Sequence, residues 1–345
     1  QITPISETIP WDLSGLNYGI NQITIDGLTD NSGVSTPTAQ LPAPVIITLN
    51  ENPVVTFTSS TPEICYDDPA ILNFNFSAGS PPFIIDYTIN STSQTPLNIN
   101  GSGNQQYTIS PDPLVGLNNY DIILVTDAKG CDNTLSNPNA TILVNPTPEV
   151  NITVSGTNPI CEGQDSELFF PVISGTPPFN VNYLAGATPL STNVDGSGNQ
   201  VSGNPMIISP SVSTIYTLTS ITDAKGCTNS LSNSAELTVN EIPNVIVSGD
   251  TEICDQDETP VFFTFNSGEA PWTVTYSVAT APSSITLYNT NDSILVNPNV
   301  TTTYIITNIS DNNCSAILNE DVTITVNPLP QSIISGGGSV CDDGS

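Results

Sequence analysis

Apolar and polar residues alternate along this chain in short runs. Residues 70–76 read Ala-Ile-Leu-Asn-Phe-Asn-Phe, and comparable runs occupy 167–173, 261–265, 140–145, 235–240 and 322–327. A period of two puts one face of a run in a core and the other in water, as in a half-buried β-strand. Helix signals are nearly absent. The 30 Pro and 23 Gly interrupt every segment longer than about ten residues. The pattern predicts an all-β protein of many short strands.

The runs belong to a repeat. Ile64-Cys65-Tyr66-Asp67, Ile160-Cys161-Glu162-Gly163 and Ile253-Cys254-Asp255-Gln256 each open a unit. An apolar run follows, then a turn ending in an aromatic: Gly79-Ser80-Pro81-Pro82-Phe83, Gly175-Thr176-Pro177-Pro178-Phe179 and Gly268-Glu269-Ala270-Pro271-Trp272. Tyr120, Tyr216 or Tyr304 then opens an alternating strand. It ends in Thr126-Asp127-Ala128-Lys129-Gly130-Cys131, Thr222-Asp223-Ala224-Lys225-Gly226-Cys227 or Ser310-Asp311-Asn312-Asn313-Cys314. A final strand closes each unit, and Pro148, Pro243 and Pro330 mark the junctions.

Cys65 and Cys161 lie 96 residues apart, and Cys161 and Cys254 lie 93 apart. That period is the size of one small β-sandwich, able to bury its own core. The expected fold is tandem Ig-like β-sandwich repeats, each with one intradomain disulfide, at residues 53–147, 148–243 and 244–330. Residues 331–345, with Val340-Cys341-Asp342-Asp343, read as the start of a further repeat. Residues 1–52 read as the C-terminal half of an earlier repeat, with Val34 in the cysteine position, or as a divergent N-terminal domain. A parent chain extending in both directions is therefore expected. Gln1 begins either a mature chain or an internal fragment, since no signal peptide is visible there.

Charge narrows the function. The 345 residues hold 2 Lys+Arg against 33 Asp+Glu, a formal net charge of -31. Nothing here neutralises phosphates, so nucleic acid and anionic membrane surfaces are excluded as partners. No apolar stretch approaches the ~20 residues of a membrane helix, so no membrane insertion is expected. The 37% hydrophobic content and β-branched runs support a packed core rather than disorder. An acidic surface suits a secreted protein that must resist aggregation.

The seven cysteines are the strongest local signal. Within each unit the two cysteines are 66, 66 and 60 residues apart. The expected pairs are Cys65–Cys131, Cys161–Cys227 and Cys254–Cys314, with Cys341 left unpaired. Zinc sites usually need close Cys/His pairs, and a catalytic thiol needs a base; the chain has no His. Structural disulfides imply an oxidising compartment, hence an extracellular or cell-surface location.

The absence of His also removes the commonest general base, and no phosphate-binding loop is present. No catalytic or cofactor-binding residue is expected, and the protein reads as a non-enzyme. Paired carboxylates, Asp67 with Asp68, Asp255 with Asp257 and Asp342 with Asp343, recur just after an opening cysteine, which favours architecture over an active site. They remain candidate oxygen ligands for calcium: Asp67, Asp68, Asp127, Asp223, Asp255 and Asp257, with Asp311 in the third unit. The expected bridges would bring two acidic loops to one pole. The competing reading is a solvated acidic loop, and no EF-hand spacing exists. Tyr120, Tyr216 and Tyr304 are expected in the core or closing a sandwich corner rather than stacking a ligand. Phe83, Phe179 and Trp272 are expected to pack on the disulfides.

The combination of Gly175-Thr176-Pro177-Pro178-Phe179, the strand from Tyr216 to Thr222, and Asp223-Ala224-Lys225-Gly226-Cys227 resembles the Ig-like or PKD-like repeats of giant surface proteins of Bacteroidota. These include gliding-motility adhesins exported by the type IX secretion system. The resemblance covers residues 53–330 and both flanks in part. The family's short repeat is usually under half this period, and the longer middle strands and extra upstream cysteine depart from it. The resemblance implies export through outer-membrane secretion machinery and a role in adhesion, gliding or cell–cell contact. It also implies O-glycosylation of Asp-Ser/Thr-apolar sites, which Asp292-Ser293-Ile294 matches at Ser293. The expected function is a structural or adhesive segment of a giant secreted surface protein or filament. Its partners would be other copies of the chain, and surface glycans or proteins of other cells. The alternative is a carbohydrate-binding accessory array of a secreted enzyme, which requires an exposed aromatic platform.

Overall fold

The computed structural model describes residues 14–29, 32–37, 41–109, 114–135, 139–201 and 205–339. Every regular element in it is a β-strand. Three separate hydrophobic cores form, from residues 55–144, 150–237 and 245–324. The contacts divide the chain into two compact units. The first holds residues up to Pro148 together with Ser174–Thr176 and Asp223–Cys227, and the second holds the rest.

The first core lies between two sheets. In one, Ala70–Ala78 runs between Val54–Ser59 and Gly103–Ile109. Its alternation is literal: Ala70, Leu72, Phe74 and Phe76 are buried, while Asn75 on the opposite face is exposed. In the other, Gly116–Thr126 lies between Phe83–Ile89 and Asn139–Asn145. The short strand Glu63–Cys65 joins its edge parallel to Asn139–Asn145. Antiparallel sheets with one short parallel contact to the last strand make this an Ig-like sandwich.

The same plan recurs around the third core. Thr259–Ser267 lies between Asn244–Ser248 and Asn291–Val296. The facing sheet runs Thr251–Cys254, Ser315–Asn327, Thr302–Ser310, Trp272–Val278, Ala281–Leu287, again with the first contact parallel. The second core uses shorter pieces. Ser166–Phe169 lies between Thr153–Val154 and Met206–Ile208, facing Phe179–Ala185 and Thr214–Thr222. A separate exposed hairpin pairs Gly19–Ile23 with Val45–Leu49.

The aromatics that follow the Gly/Pro turns fill the cores instead of covering disulfides. Phe83 stacks on Phe76 with ring centroids 3.9 Å apart, and Trp272 stacks on Phe265 at 4.2 Å. Phe179 is buried in the second core. Stacking one flat ring on another removes a large apolar area from water. Tyr120 and Tyr216 are also buried, and Tyr304 is half-buried against the third core.

Candidate functional site in the cysteine loops

Each opening cysteine ends a parallel edge strand and starts a tight turn. Asp68 N donates to the Cys65 carbonyl, Gln164 N to that of Cys161 and Asp257 N to that of Cys254, each at 3.0 Å. The third turn residue takes positive φ in all three: Asp67 at 69°, Gly163 at 80° and Gln256 at 76°. That is the conformation a type II turn demands. The fourth residue closes the turn. Asp68 Oδ2 accepts the Cys65 N–H at 3.3 Å, Gln164 Oε1 that of Cys161 at 3.0 Å and Asp257 Oδ2 that of Cys254 at 3.3 Å.

Each second cysteine sits in a loop organised by an aspartate. Asp223 is buried, and its Oδ1 accepts the N–H groups of Lys225 at 2.9 Å and Cys227 at 3.0 Å. Its Oδ2 accepts the N–H of Thr176 at 3.0 Å, from the Gly-Thr-Pro-Pro turn. Asp127 is buried in the same way and does the same for Lys129, Cys131 and Ser80. Asp311 repeats it with Asn313, Cys314 and Glu269. One carboxylate thus ties the cysteine loop to the Gly/Pro turn, which is why the two motifs occur together.

In this structure the acidic side chains bond to backbone groups. The carboxylates of Asp127, Asp223 and Asp311 are spent on backbone donors, and those of Asp68 and Asp257 serve the opening turns. Among the described residues, no group of three or more His, Cys, Asp or Glu is placed to hold a metal. Partial burial disfavours the charged form of Asp311, but the N–H donors of Cys314, Glu269 and Asn313 outweigh it and hold its carboxyl below the usual value.

The two kinds of loop lie at opposite ends of their own sandwich, which corrects the expected pairing. Cys65 aligns with Asn145, whose neighbour Val144 aligns with Gly116; Cys131 lies beyond Thr126, at the other end of that strand. Gly116–Thr126 has 11 residues, so its ends are roughly 33 Å apart. A disulfide needs Cα atoms within about 7 Å. The strands Thr214–Thr222 and Thr302–Ser310, of 9 residues each, likewise stand between Cys161 and Cys227 and between Cys254 and Cys314, with ends roughly 26 Å apart. The expected pairs Cys65–Cys131, Cys161–Cys227 and Cys254–Cys314 therefore do not form.

Cys65 bonds Cys227 instead, with Cα atoms 5.5 Å apart, and Cys161 bonds Cys314 at 5.8 Å. Each bond joins an opening turn to a second-cysteine loop one repeat further on. Cys131 and Cys254 are free thiols. Cys341 lies outside the described residues, as do Asp342 and Asp343.

An ion pair accompanies the first bond. Lys225 Nζ lies 2.8 Å from Glu63 Oε1, and Asn145 Nδ2 donates to the same oxygen at 3.0 Å. The Lys225 and Asn145 hydrogen bonds hold the Glu63 carboxyl below its ordinary value. Around the second bond the corresponding positions are the uncharged Pro159 and Asn312, and a cleft of about 660 Å³ lined by residues including Thr157, Gln164, Asn240 and Asn313 lies beside it. The cross-repeat pairing had a signal in the sequence: Lys129 and Lys225, the chain's two cations, occupy one loop position, and Glu63 and Glu252 both stand two residues before an opening cysteine.

Ser293 is exposed on strand Asn291–Val296, and its N–H donates to Asp292 Oδ1 at 3.0 Å.

No protein-family model matches the chain, and no curated protein sequence does. Solved structures similar to it include proteins of Ig and fibronectin domains and bacterial alpha-2-macroglobulins. A marsupial T cell receptor is 11% identical with a TM-score of 0.37, over 77% of this chain and 99% of that one. The N-terminal eight Ig domains of Down Syndrome Cell Adhesion Molecule are 12% identical with a TM-score of 0.34, over 91% of this chain and 44% of that one. The FN1–FN3 domains of chicken CNTN1 are 14% identical with a TM-score of 0.26, over 72% of this chain and 94% of that one.

Proposed function

We propose that this chain is a tension-carrying, adhesive segment of an extracellular surface protein, with Ig-like repeats near 53–147, 148–243 and 244–330 and no catalytic role. Disulfides that bridge from one repeat to the next carry the proposal. Joining Cys65 to Cys227 and Cys161 to Cys314 merges four points of the chain into two. Segments 65–161, 161–227 and 227–314 then run side by side between the same two points, and the shortest, of 66 residues, sets the reach. At ~3.4 Å per extended residue, Cys65 and Cys314 cannot separate beyond about 220 Å, against about 850 Å for the reduced chain. Such a bond pattern limits stretch across repeats as well as within them, which suits a stalk or filament held between surfaces under shear. Disulfides also fit the oxidising extracellular setting.

Gliding or cell–cell contact, export by a type IX-type system, and glycosylation at Ser293 are consistent with this reading and rest on the sequence resemblance. Partners would be further copies of the chain, or glycans and proteins of other surfaces. The carbohydrate-binding alternative gains no exposed platform from Phe83, Phe179 and Trp272, which are core residues.

Single-molecule pulling from the two chain ends tests the proposal. Full unfolding of the oxidised chain should stop short, and reductant should release roughly 600 Å of further contour length. Equal contour lengths with and without reductant would remove the mechanical role.

A further inference from the structure

We propose that Cys254 of one copy of this chain bonds Cys131 of a second copy, with Glu252 of the first copy paired to Lys129 of the second. This deepens the filament reading above by naming its joint, and its test reads the bond itself rather than stretch or adhesion.

The Cys65–Cys227 joint supplies the template. Its receiving half has four parts: a Glu-Ile-Cys edge strand, an asparagine holding the glutamate, a turn closed on the cysteine N–H, and the thiol. Its entering half is the Asp-clamped Asp-Ala-Lys-Gly-Cys loop. Both halves exist a second time, unbonded. Glu252-Ile253-Cys254 repeats Glu63-Ile64-Cys65. Asn327 Nδ2 donates to Glu252 Oε2 at 3.4 Å, as Asn145 does to Glu63. Asn327 aligns with Cys254 as Asn145 does with Cys65. The Asp257 side chain closes the Cys254 turn as Asp68 closes that of Cys65.

Asp127-Ala128-Lys129-Gly130-Cys131 repeats residues 223–227 letter for letter, with the same aspartate bonds. Glu252, Cys254 and Lys129 are exposed, and Cys131 is half-exposed. Among the described residues Lys129 makes no ion pair. In a chain of net charge -31, association between copies faces repulsion. One lysine placed opposite one glutamate at the joint offsets it locally. At the Cys161–Cys314 joint both positions are uncharged, Pro159 and Asn312, so lysine and glutamate are present or absent together.

The bond forms by oxidation. Two thiols lose two protons and two electrons and become one disulfide. Oxidised glutathione supplies the sink: its own S–S bond breaks and two glutathione thiols leave, through a mixed disulfide on one of the two cysteines.

The test uses the full chain carrying Cys341→Ser, incubated with oxidised glutathione and resolved without reductant. The expected result is a ladder of covalent oligomers whose cross-linked peptides contain Cys131 with Cys254. Adding Cys131→Ser or Cys254→Ser should leave each variant monomeric, and mixing the two variants should give dimers and nothing larger. Lys129→Glu should slow coupling about threefold to fivefold, and Glu252→Lys on the partner should restore it. Persistent monomer, Cys131–Cys131 or Cys254–Cys254 bonds as frequent as the mixed bond, or no rescue by the charge swap would each overturn the proposal. Circular dichroism of every variant separates loss of the joint from loss of the fold.

Discussion

Asp223 shows how much one side chain organises. Its carboxylate receives three backbone N–H groups from two segments that are 47 residues apart at Thr176. Charge-assisted bonds of this kind are worth about 1.5–3 kcal/mol each in the handiest cases, and they are not additive. Asp223→Ala should therefore cost about 2–4 kcal/mol of stability in chemical denaturation and slow closure of Cys65–Cys227 on refolding. Asp311 adds a pH dependence. Its folded pKa is depressed, so its contribution is present above the unfolded carboxylate value and is lost as pH falls through the lower folded value. The third core should lose stability in that acidic window, and Asp311→Asn should flatten the loss, as read by thermal melts between pH 2 and pH 5 at roughly constant ionic strength. The aspartates were legible as a repeated motif. Their role was not, because a carboxylate that caps backbone N–H groups and one that binds calcium look alike until the donors are placed.

At the level of strands and turns, the alternation of apolar and polar residues was enough to find the sandwiches. Residues 70–76 alternate in sequence and in burial alike. What alternation does not encode is which end of a strand a neighbouring loop occupies. Cys65 and Cys131 look equivalent to any other pair at their spacing, yet an 11-residue strand stands between them. The long strand Ser315–Asn327 likewise runs unbroken where the sequence suggested only a closing strand at 322–327, because its first residues pair with the end of Thr302–Ser310. The Gly/Pro turn carries a sharper constraint. Gly79 has φ of 97°, and a Cβ there would meet Pro53 and the Phe83 ring at 2.9 Å. Gly79→Val should destabilise the first core by about 2–4 kcal/mol, with the loss seen in its hydrogen-exchange protection. Unchanged protection would mean that the turn tolerates a side chain.

Across the whole molecule, covalent links change what a repeat protein is. Sandwiches on a plain string melt and stretch one at a time. Here a bond closes 162 residues in one case and 153 in the other, and the two closed segments overlap. In the chain-entropy view, a single loop of this length is worth about 5 kcal/mol against the reduced chain. Reduction should therefore lower the melting temperature of more than one core together. The most direct measurement is peptide mapping of the oxidised, unreduced chain by mass spectrometry, after cleavage between all cysteines. Cross-linked peptides should join Cys65 to Cys227 and Cys161 to Cys314. Peptides joining Cys65 to Cys131 and Cys161 to Cys227 would contradict the cross-repeat bonding, and with it the mechanical role and the joint between copies.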